Sequence, residues 1–363
     1  MSIVNNLHND FVMYGDFISA VPYGSGHIND TYKVTMSQSG TIVNYIYQRI
    51  NNNIFKNVEN LMDNIRRVTE HLGQKIAGTE DASRRALEVI PSRDGKPFVI
   101  DAEGKYWRAY LFIEKAQTYD VIKNEDQAYQ AAYAFGVFQN ALADMPGERL
   151  FETIPDFHDT PQRLKVLEEA IKNDVKGRVR DVQAEIDFVM ARKDEVGKLI
   201  DLNAAGAIPE RITHNDTKLN NVMIDDVTGK GVCVIDLDTV MPGLVHYDFG
   251  DMVRTSTSPA LEDEKDLSKV FMQFNMFEAL LRGYLKSAGG FLTPVERENL
   301  PFSGKLITLE IGIRFLTDYL SGDVYFKIHR PEHNLDRCRT QFKLVSSIEE
   351  QMPQMLELLN SIK

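Results

Sequence analysis

The sequence predicts an α+β protein of two lobes: a small, β-rich N-terminal lobe at residues 1–115 and a large, mainly helical C-terminal lobe at residues 116–363. A chain of 363 residues exceeds one comfortable hydrophobic core, which favours two lobes. Short alternating segments typical of strands dominate before residue 115, whereas apolar residues at helical spacing dominate after it. One exception is a strand–turn–strand pattern at residues 222–235, which predicts a hairpin within the helical lobe.

The N-terminal lobe is expected to be a small sheet with one helix. Its predicted elements are strands at residues 17–21, 31–35, 43–49 and 106–114 and a helix at residues 57–71. Gly24 and Gly26 lie in the turn between the first two strands, where glycine lets backbone N–H groups approach phosphates closely. A third glycine would fall at Asn29, so the motif is incomplete and by itself more typical of an ordinary hairpin.

Six helices are predicted beyond the first lobe, at residues 128–142, 160–172, 183–202, 262–287, 301–321 and 340–361. Pro161 directly after Thr160 indicates a helix start. The acidic residues 262–264 are expected to offset the macrodipole at the start of their helix. His329 and His333 have the spacing of a zinc pair, but Pro331 between them disfavours a regular helix there, and we expect no structural zinc.

Composition and charge exclude several classes of partner. Hydrophobic residues make up 43% and charged residues 26% of the chain, as in soluble globular proteins. The formal charge of −12 argues against nucleic acid or an anionic membrane, because both attract a basic surface. Cys233 and Cys338 cannot form a disulfide framework. Residues 1–20 lack a signal-peptide pattern, and no run reaches the length of a membrane span. We therefore expect a cytoplasmic protein.

The most informative stretch is a loop that spells His-x-Asp-x-x-x-x-Asn from His214 to Asn221, followed by a hairpin whose second strand ends at Asp236. Phosphoryl transfer requires an oriented acceptor and metal ions that offset the charge of the phosphates. Asp216 would accept the proton of the acceptor hydroxyl, and Asn221 and Asp236 would hold Mg²⁺. Each residue alone is common in loops, but their order, spacing and following hairpin together predict a kinase with a protein-kinase-like fold.

Two nearby features need separate interpretations. Lys218 lies two residues after Asp216, where an ammonium can reach the transferring phosphoryl group. Asp248, Phe249 and Gly250 spell the Asp-Phe-Gly of protein kinases, but only Asp236 follows the hairpin directly. We therefore place the metal on Asp236 and expect Asp248 to brace the catalytic loop through hydrogen bonds to its backbone.

Taken together, these motifs resemble the aminoglycoside phosphotransferase and choline kinase family of small-molecule kinases. The resemblance covers nearly the whole chain and is carried by residues 22–32, 212–221, 235–243, 260–270, 300–310 and 313–326. It implies ATP and Mg²⁺ as cofactors and a small-molecule acceptor. The C-terminal segments are most similar to family members that phosphorylate the anomeric hydroxyl of N-acetylgalactosamine or N-acetylglucosamine.

Carried over by position, the resemblance implies roles for further residues. Around the sugar it places His27, Arg314 and Tyr325. Around ATP it places Gly24, Gly26 and the hinge near Glu114. The order of preference between the two sugars and the oligomeric state stay open.

One position departs from the kinase pattern. Kinases usually carry a lysine on the third strand for the α- and β-phosphates, and Gln48 stands at that position here. Arg49 is adjacent but points to the opposite face of a regular strand. Either Arg49 reaches the nucleotide through a bulge, or Mg²⁺ and Lys218 carry more of the charge. Two alternatives stay open: a kinase for another alcohol, such as choline or an aminoglycoside, and a nucleotide-binding pseudokinase.

Overall fold

A computed structural model describes residues 3–24 and 28–362, and the chain in it divides into two units. The first comprises Met1–Gln117, Ala141–Pro155 and Met223–Pro242. The second comprises Thr118–Asn140, Asp156–Val222 and Gly243–Lys363. Strands lie mainly in the first unit and helices mainly in the second, so the predicted α+β class is confirmed.

The strands and helices are numbered along the chain. The strands are β1 (Asp16–Pro22), β2 (Asp30–Gln38), β3 (Thr41–Arg49), β4 (Val89–Ile90), β5 (Val99–Ile100), β6 (Tyr106–Leu111), β7 (Ala116–Gln117), β8 (Arg211–Thr213), β9 (Val222–Asp225), β10 (Gly231–Val234) and β11 (Met241–Gly243). The helices are α1 (Val58–Ile76), α2 (Ala82–Arg85), α3 (Glu125–Leu142), α4 (Thr160–Asn173), α5 (Gln183–Met190), α6 (Lys198–Ala204), α7 (Val245–Ser256), α8 (Phe274–Ala288), α9 (Pro294–Glu298), α10 (Leu300–Ser321) and α11 (His333–Ser361). In the described part of the chain, no helix combines the length and apolar character needed to cross a membrane.

The first unit is built on a sheet in the order β1-β2-β3-β6-β4, with β5 also paired to β6. Its pairs are antiparallel, and alternate residues of β3, Tyr45 and Tyr47, are buried on one face. Trp107 of β6 packs in the same core, and its indole N–H donates to Asp101 at 2.7 Å. Helix α1 confirms the predicted apolar spacing and is capped by Asn57, which accepts a hydrogen bond from the N–H of Asn60.

A second small sheet of the first unit joins the predicted hinge to the predicted hairpin. Ala116 and Gln117 of β7 pair with β9, and β9 pairs with β10. The hairpin therefore forms at the residues that the sequence predicted, but it groups with the first unit and not with the helical lobe where it was expected. Arg84 secures this sheet, because its guanidinium donates to the main-chain oxygens of Glu114 and Lys115 and to the carboxylate of Asp225.

Helix α10 is the central helix of the second unit. It is buried around most of its circumference, as expected for a helix that is apolar on every side. Its apolar residues share a core with those of α4, α5 and α11, including Leu167, Phe315 and Phe342. The prediction of a helix at residues 301–321 is confirmed.

Two predicted helices are wrong in their extent. Residues 183–202 form α5, a 3₁₀ turn at Lys193–Glu195 and α6, with Gly197 preceding α6. Residues 262–273 are not part of α8, so the acidic residues do not lie at its N-terminus. They are held instead by cations: Glu262 pairs with Arg254 at 3.0 Å, and Asp263 pairs with Arg330 at 3.2 Å.

Candidate active site

Helix α7 fixes the catalytic loop, residues 214–221, through hydrogen bonds to the main chain of the loop. Asp248, fully buried in α7, accepts hydrogen bonds from the main-chain N–H groups of His214 at 2.9 Å and Asn215 at 2.6 Å. One turn later, Asp251 accepts from the N–H of Thr217 at 3.0 Å. Buried N–H groups left unpaired cost about 1–3 kcal/mol each, so these carboxylates determine the shape of the loop. The prediction that Asp248 braces the loop is confirmed.

Phe249 and Gly250, the other two residues of the Asp-Phe-Gly sequence, are explained by packing. Phe249 is fully buried and contacts the rings of Phe277 and Tyr284. A Cβ atom on Gly250 would lie 2.5 Å from the main-chain oxygen of Ser303, so glycine is needed for α7 to approach α10 this closely. The sequence Asp-Phe-Gly is accordingly part of the loop support within the second unit.

The loop itself contains one left-handed residue. Asn215 has a φ of +65°, a conformation that asparagine tolerates better than most residues. Its side-chain N–H donates to the main-chain oxygen of Thr213 at 3.2 Å. His214 is buried and contacts Phe135 and Phe138 edge to face. The backbone entering Asp216 is therefore held in one conformation.

Asp216, Lys218 and Asn221 lie together on this loop. The carboxylate of Asp216 is 2.7 Å from the ammonium of Lys218. The amide nitrogen of Asn221 donates to the main-chain oxygen of Asp216 at 2.8 Å and to its carboxylate at 3.3 Å. Burial alone would raise the pKa of Asp216, but the charge and hydrogen bond of Lys218, together with the charges of His214 and Arg254, outweigh burial and lower the pKa. The carboxylate is therefore ionised at neutral pH and able to accept a proton.

Asp236 follows β10 in the first unit, at the start of a turn that we call the Asp236 turn (residues 236–240). It is exposed and left-handed, with φ and ψ near 60°, and is followed by the 3₁₀ turn Leu237–Thr239. Asp238, two residues later, is buried and forms an ion pair with Arg108 of β6. Thr153 donates from its hydroxyl to the main-chain oxygen of Asp238 at 2.8 Å. Sequence analysis assigned no role to Arg108 or Asp238.

Asp236 in the first unit and Asn221 in the second unit each offer an oxygen donor of the kind that magnesium takes. Asp236 offers an exposed carboxylate, and Asn221 has its amide nitrogen engaged by Asp216, so the amide oxygen is the atom that a cation would take. Mg²⁺ prefers such oxygen donors and usually takes only one or two carboxylates from the protein. Among residues 3–24 and 28–362, no three His, Cys, Asp or Glu residues cluster as a closed metal cage.

The glycine-rich turn is only partly described. Gly24 has a φ of +81°, which favours glycine, whereas Gly26 and His27 lie outside the described residues. Asn29, at the position of the third glycine, donates from its amide to the carboxylate of Asp238 at 2.6 Å. The turn is thereby attached to the Asp236 turn within the first unit.

On the third strand, Gln48 and Arg49 point to opposite faces as predicted. Gln48 accepts a hydrogen bond from Nε of Arg108 at 2.9 Å. Arg49 is half-exposed and pairs with Asp30. The register of β3 with β2 and β6 is continuous through these residues, so the bulge that would turn Arg49 inward is not present.

The predicted hinge residue Glu114 is exposed and lies between β6 and β7. Its carboxylate accepts a hydrogen bond from Asn44 at 2.7 Å, and its main-chain oxygen accepts from Arg84 at 3.0 Å. Lys115 next to it is left-handed, with a φ of +57°. The hinge backbone is thus fixed at the edge of the small β7-β9-β10 sheet.

Arg314 and Tyr325 line one cavity of about 210 Å³ in the second unit. The guanidinium of Arg314 lies 5.4 Å from the ring centre of Phe157, 5.5 Å from that of Phe326 and 5.9 Å from that of Tyr325. No carboxylate among the described residues pairs with Arg314, so its N–H groups are available to a ligand. Tyr325 is 66% exposed, which is the exposure of a pocket wall and not of a core aromatic.

Arg163 is a further cation of this cavity that sequence reasoning missed. It donates to the main-chain oxygens of Asp156 and Phe157, and its Nε has no partner among the described residues. Burial lowers the pKa of Arg163, and the like charge of Arg314 lowers it further. Arg163 lies in α4 and Arg314 in α10, and no sequence spacing relates them.

A buried polar group connects the catalytic loop to the helix that carries Arg314. His158 contacts the main-chain oxygen of Asn215 at 3.2 Å and the carboxylate of Glu310 at 2.8 Å. Burial alone would lower the pKa of His158, but the charge and hydrogen bond of Glu310, together with Asn215 and Asp251, outweigh burial and raise the pKa. Glu310 lies one helical turn before Arg314 in α10. The loop bearing Asp216 is therefore linked through His158 to the helix that carries Arg314.

Comparison with known proteins gives a family and a fold. The model of the phosphotransferase enzyme family matches residues 19–267 of the chain. An aminoglycoside phosphotransferase from Alicyclobacillus acidocaldarius is similar in structure, with 10% identity, a TM-score of 0.60 and 93% of each chain covered. An ethanolamine kinase from Plasmodium vivax has 14% identity and a TM-score of 0.55, with 90% of this chain and 82% of that chain covered.

A choline kinase from Cryptosporidium parvum is also similar. It has 15% identity and a TM-score of 0.52, with 95% of this chain and 92% of that chain covered. At such identities the likeness concerns the fold alone, and it confirms the predicted protein-kinase-like α+β fold.

Proposed function

The chain belongs to the phosphotransferase enzyme family, and we propose that within it this protein is an N-acetylhexosamine 1-kinase. It would transfer the γ-phosphate of ATP, with Mg²⁺, to the anomeric hydroxyl of N-acetylgalactosamine or N-acetylglucosamine. The observation that carries this proposal is the cavity that brings Arg314, Tyr325 and Arg163 together in the unit that also holds Asp216.

The roles of the loop residues follow from their chemistry. Asp216 accepts the proton of the anomeric hydroxyl as its oxygen bonds to the γ-phosphorus and the bond to the ADP oxygen breaks. Lys218 keeps Asp216 ionised and offers an ammonium to the negative charge that develops on the phosphoryl group. The anomeric hydroxyl is more acidic than an ordinary alcohol, so the demand on Asp216 is moderate.

The nucleotide is assigned to residues of the glycine-rich turn and the hinge. Gly24, Gly26 and Glu114 are proposed around ATP, with Asn221 and Asp236 as the residues that would hold Mg²⁺. Bound Mg²⁺ would offset charge on the phosphates. Arg49, expected near ATP, is paired with Asp30, so any contribution from it is electrostatic and screened by salt.

The charge of the cavity favours a neutral acceptor. Arg163 and Arg314 supply two guanidinium groups, whereas the carboxylate of Asp318 is already hydrogen-bonded to nearby groups of the protein. Asp318 accepts from the main-chain N–H groups of residues 324, 325 and 326 and from the amide of Asn334, all at 2.8–2.9 Å. Four donors occupy the lone pairs of the carboxylate, so it offers nothing to an ammonium ligand.

Sugar chemistry suits the donors that the cavity presents. Hydroxyl oxygens and the carbonyl oxygen of an acetamido group accept hydrogen bonds, and arginine can only donate. The ring of Tyr325 gives an apolar face beside these donors. The volume of about 210 Å³ is below the ~300–1,000 Å³ of pockets for drug-sized ligands, which suits one small acceptor. The proposal also includes His27, the third sugar residue that the resemblance implies, which lies outside the described residues.

A panel of acceptors with ATP and Mg²⁺ tests the proposal through release of ADP. We expect turnover with N-acetylgalactosamine or N-acetylglucosamine, and none with choline, ethanolamine or kanamycin. The product should lose phosphate on warming in dilute acid, because a glycosyl phosphate breaks at its anomeric C–O bond through an oxocarbenium ion. A product stable to acid would contradict the position of phosphorylation, and turnover of a cationic alcohol alone would contradict the acceptor class.

A further inference from the structure

We propose that the buried ion pair between Arg108 and Asp238 replaces the missing cation of the third strand and positions Asp236 for Mg²⁺ and the phosphates of a nucleoside triphosphate. Arg108 is thus a positioning residue, which acts through Asp238 on the turn that carries the metal-binding carboxylate. This inference rests on the proposed use of ATP with Mg²⁺.

The sheet register puts Arg108 directly beside the position where kinases carry lysine. Gln48 of β3 and Arg108 of β6 are paired residues in the antiparallel ladder, so their side chains lie on the same face. Gln48 accepts from Nε of Arg108 at 2.9 Å and donates to the hydroxyl of Thr31 at 3.1 Å. The third-strand residue thus orients a cation supplied by the neighbouring strand.

Asp238 joins this cation to two other segments of the first unit. Its Oδ1 is paired with Nη1 of Arg108, and its Oδ2 accepts from the amide of Asn29 at 2.6 Å. Its main-chain oxygen accepts from Thr153 at 2.8 Å. One carboxylate therefore ties the sheet, the end of the glycine-rich turn and the Asp236 turn to each other.

The position of the pair in the chain explains why it acts on Asp236. Asp236 and Asp238 flank a single residue at the start of a 3₁₀ turn, and Asp236 has the left-handed conformation that an L-residue rarely adopts. Fixing Asp238 on both carboxylate oxygens restricts the backbone that aims the exposed Asp236 side chain. Asp236 is also close enough to Arg108 for its charge to act on the guanidinium.

Stability alone does not account for this arrangement. Arg108 is fully buried, and its Nη2 has no partner among the described residues. Buried ion pairs are often no more stabilising than apolar residues of the same volume, and an unpaired buried donor adds a further cost. An ion pair that costs free energy to bury beside the metal-binding turn is therefore better explained by its positioning of Asp236.

The experiment measures ATP affinity by calorimetry with and without Mg²⁺, and melting temperature in parallel, for Arg108→Gln, Asp238→Asn and the double variant. In the wild type Mg²⁺ should strengthen ATP binding. In each single variant we expect this gain to fall about 10- to 100-fold, the usual effect of losing a residue that orients a metal ligand. Affinity for ATP without Mg²⁺ should change much less.

The double variant and a matched control separate positioning from folding. With both charges removed, R108Q/D238N should recover most of the melting temperature but not the Mg²⁺-dependent gain. Arg192→Gln breaks a largely buried pair with Glu349 in the other unit. It should lower the melting temperature while leaving the gain unchanged. Asn29→Ala, which removes one contact to Asp238 without leaving a buried charge, provides a milder variant if the others do not fold.

Three outcomes would overturn the inference. First, the Mg²⁺-dependent gain in ATP affinity could stay within twofold of wild type in R108Q, D238N and N29A. Second, this gain could recover in the double variant together with the melting temperature. The gain could also increase in R108Q, which would mean that the freed Asp238 binds the metal itself. If Mg²⁺ does not change the ATP affinity of the wild-type protein, that result would instead contradict the proposed function, and the inference with it.

Discussion

Asp248 accepts a 2.6 Å hydrogen bond from the main-chain N–H of Asn215, 33 residues earlier in the chain. Its other oxygen accepts from the N–H of His214 and from the side chain of Gln139. One buried carboxylate thus holds the backbone immediately before Asp216, and the sequence Asp-Phe-Gly is in this chain a support for the catalytic loop.

Replacement of Asp248 by alanine should therefore destabilise the fold. Two main-chain N–H groups and the Gln139 amide would lose their acceptor, at roughly 3–9 kcal/mol if none is rehydrated. We expect a clear fall in melting temperature by calorimetry. An unchanged melting temperature combined with lost Mg²⁺ binding would instead make Asp248 the metal ligand.

Replacement of Asp236 by alanine should have the opposite pattern. Its side chain is exposed, so the melting temperature should change little. Mg²⁺-dependent ATP binding should weaken strongly, because a proposed metal ligand is lost. Calorimetric titration with Mg²⁺ and ATP provides the measurement, and ATP without Mg²⁺ is the reference.

Asp216→Asn tests the proposed base. The amide keeps the size of the side chain and loses the proton acceptor, so kcat should fall by on the order of 10²–10⁴-fold, the usual contribution of a positioned base. Melting temperature and ATP affinity should stay near wild type. A variant that keeps more than about a third of wild-type kcat would place the base at another residue.

Arg314→Ala and Tyr325→Ala test the acceptor pocket. Each should raise the KM for the sugar about 5- to 150-fold, because a hydrogen-bonded or stacking contact with the ligand is worth about 1–3 kcal/mol. The KM for ATP should change little. Lys327→Ala, an exposed neighbour that does not line the cavity, is the control. Equal rises in both KM values would indicate a folding defect.

His246 predicts a loss of stability in mild acid. Burial lowers its pKa to about 4, and its Nε2 donates to the main-chain oxygen of Glu296 at 2.9 Å. Between pH 6.5 and 4 the unfolded chain binds a proton at this residue that the folded chain does not. Its contribution is therefore complete above pH 6.5 and falls by up to about 1.4 kcal/mol per pH unit below it.

His246→Gln keeps an amide donor at this position and cannot titrate. The free energy of unfolding, measured with urea from pH 7 to pH 4.5, should depend less steeply on pH in this variant than in wild type. His329→Gln replaces an exposed histidine and should retain the wild-type slope. Parallel slopes for wild type and His246→Gln would show that His246 does not contribute.

The parts of the site that were predictable are local in sequence. The catalytic loop and its hairpin are visible because His214, Asp216 and Asn221 have fixed spacing and are followed by two short strands. Asp238 was visible as a second acid after Asp236, but nothing near it in the sequence indicated its partner. Arg108 lies 130 residues away, and only the tertiary packing of the first unit brings the two together.

Pairings between distant helices were likewise beyond the sequence. Arg163 and Arg314 have ordinary helical surroundings in the chain, and only the packing of α4 on α10 places both at one cavity. The acidic residues 262–264 were predicted at a helix start from composition. Ion pairs with Arg254 and Arg330 determine their conformation instead, and such partners cannot be ranked from sequence.

If the cavity is the acceptor pocket that we propose, the four hydrogen bonds to Asp318 limit how its acceptor preference could be changed. The acid that lines the cavity with the two arginines accepts hydrogen bonds from the backbone of residues 324–326, which shapes the segment that presents Tyr325. Freeing the Asp318 carboxylate to bind an ammonium would break the hydrogen bonds that hold residues 324–326, and these residues form the wall of the same pocket. A shift toward amine-bearing alcohols therefore has no single-substitution route through Asp318. It would require an acid introduced elsewhere together with the loss of an arginine, so evolution or engineering would have to pass through a less active intermediate.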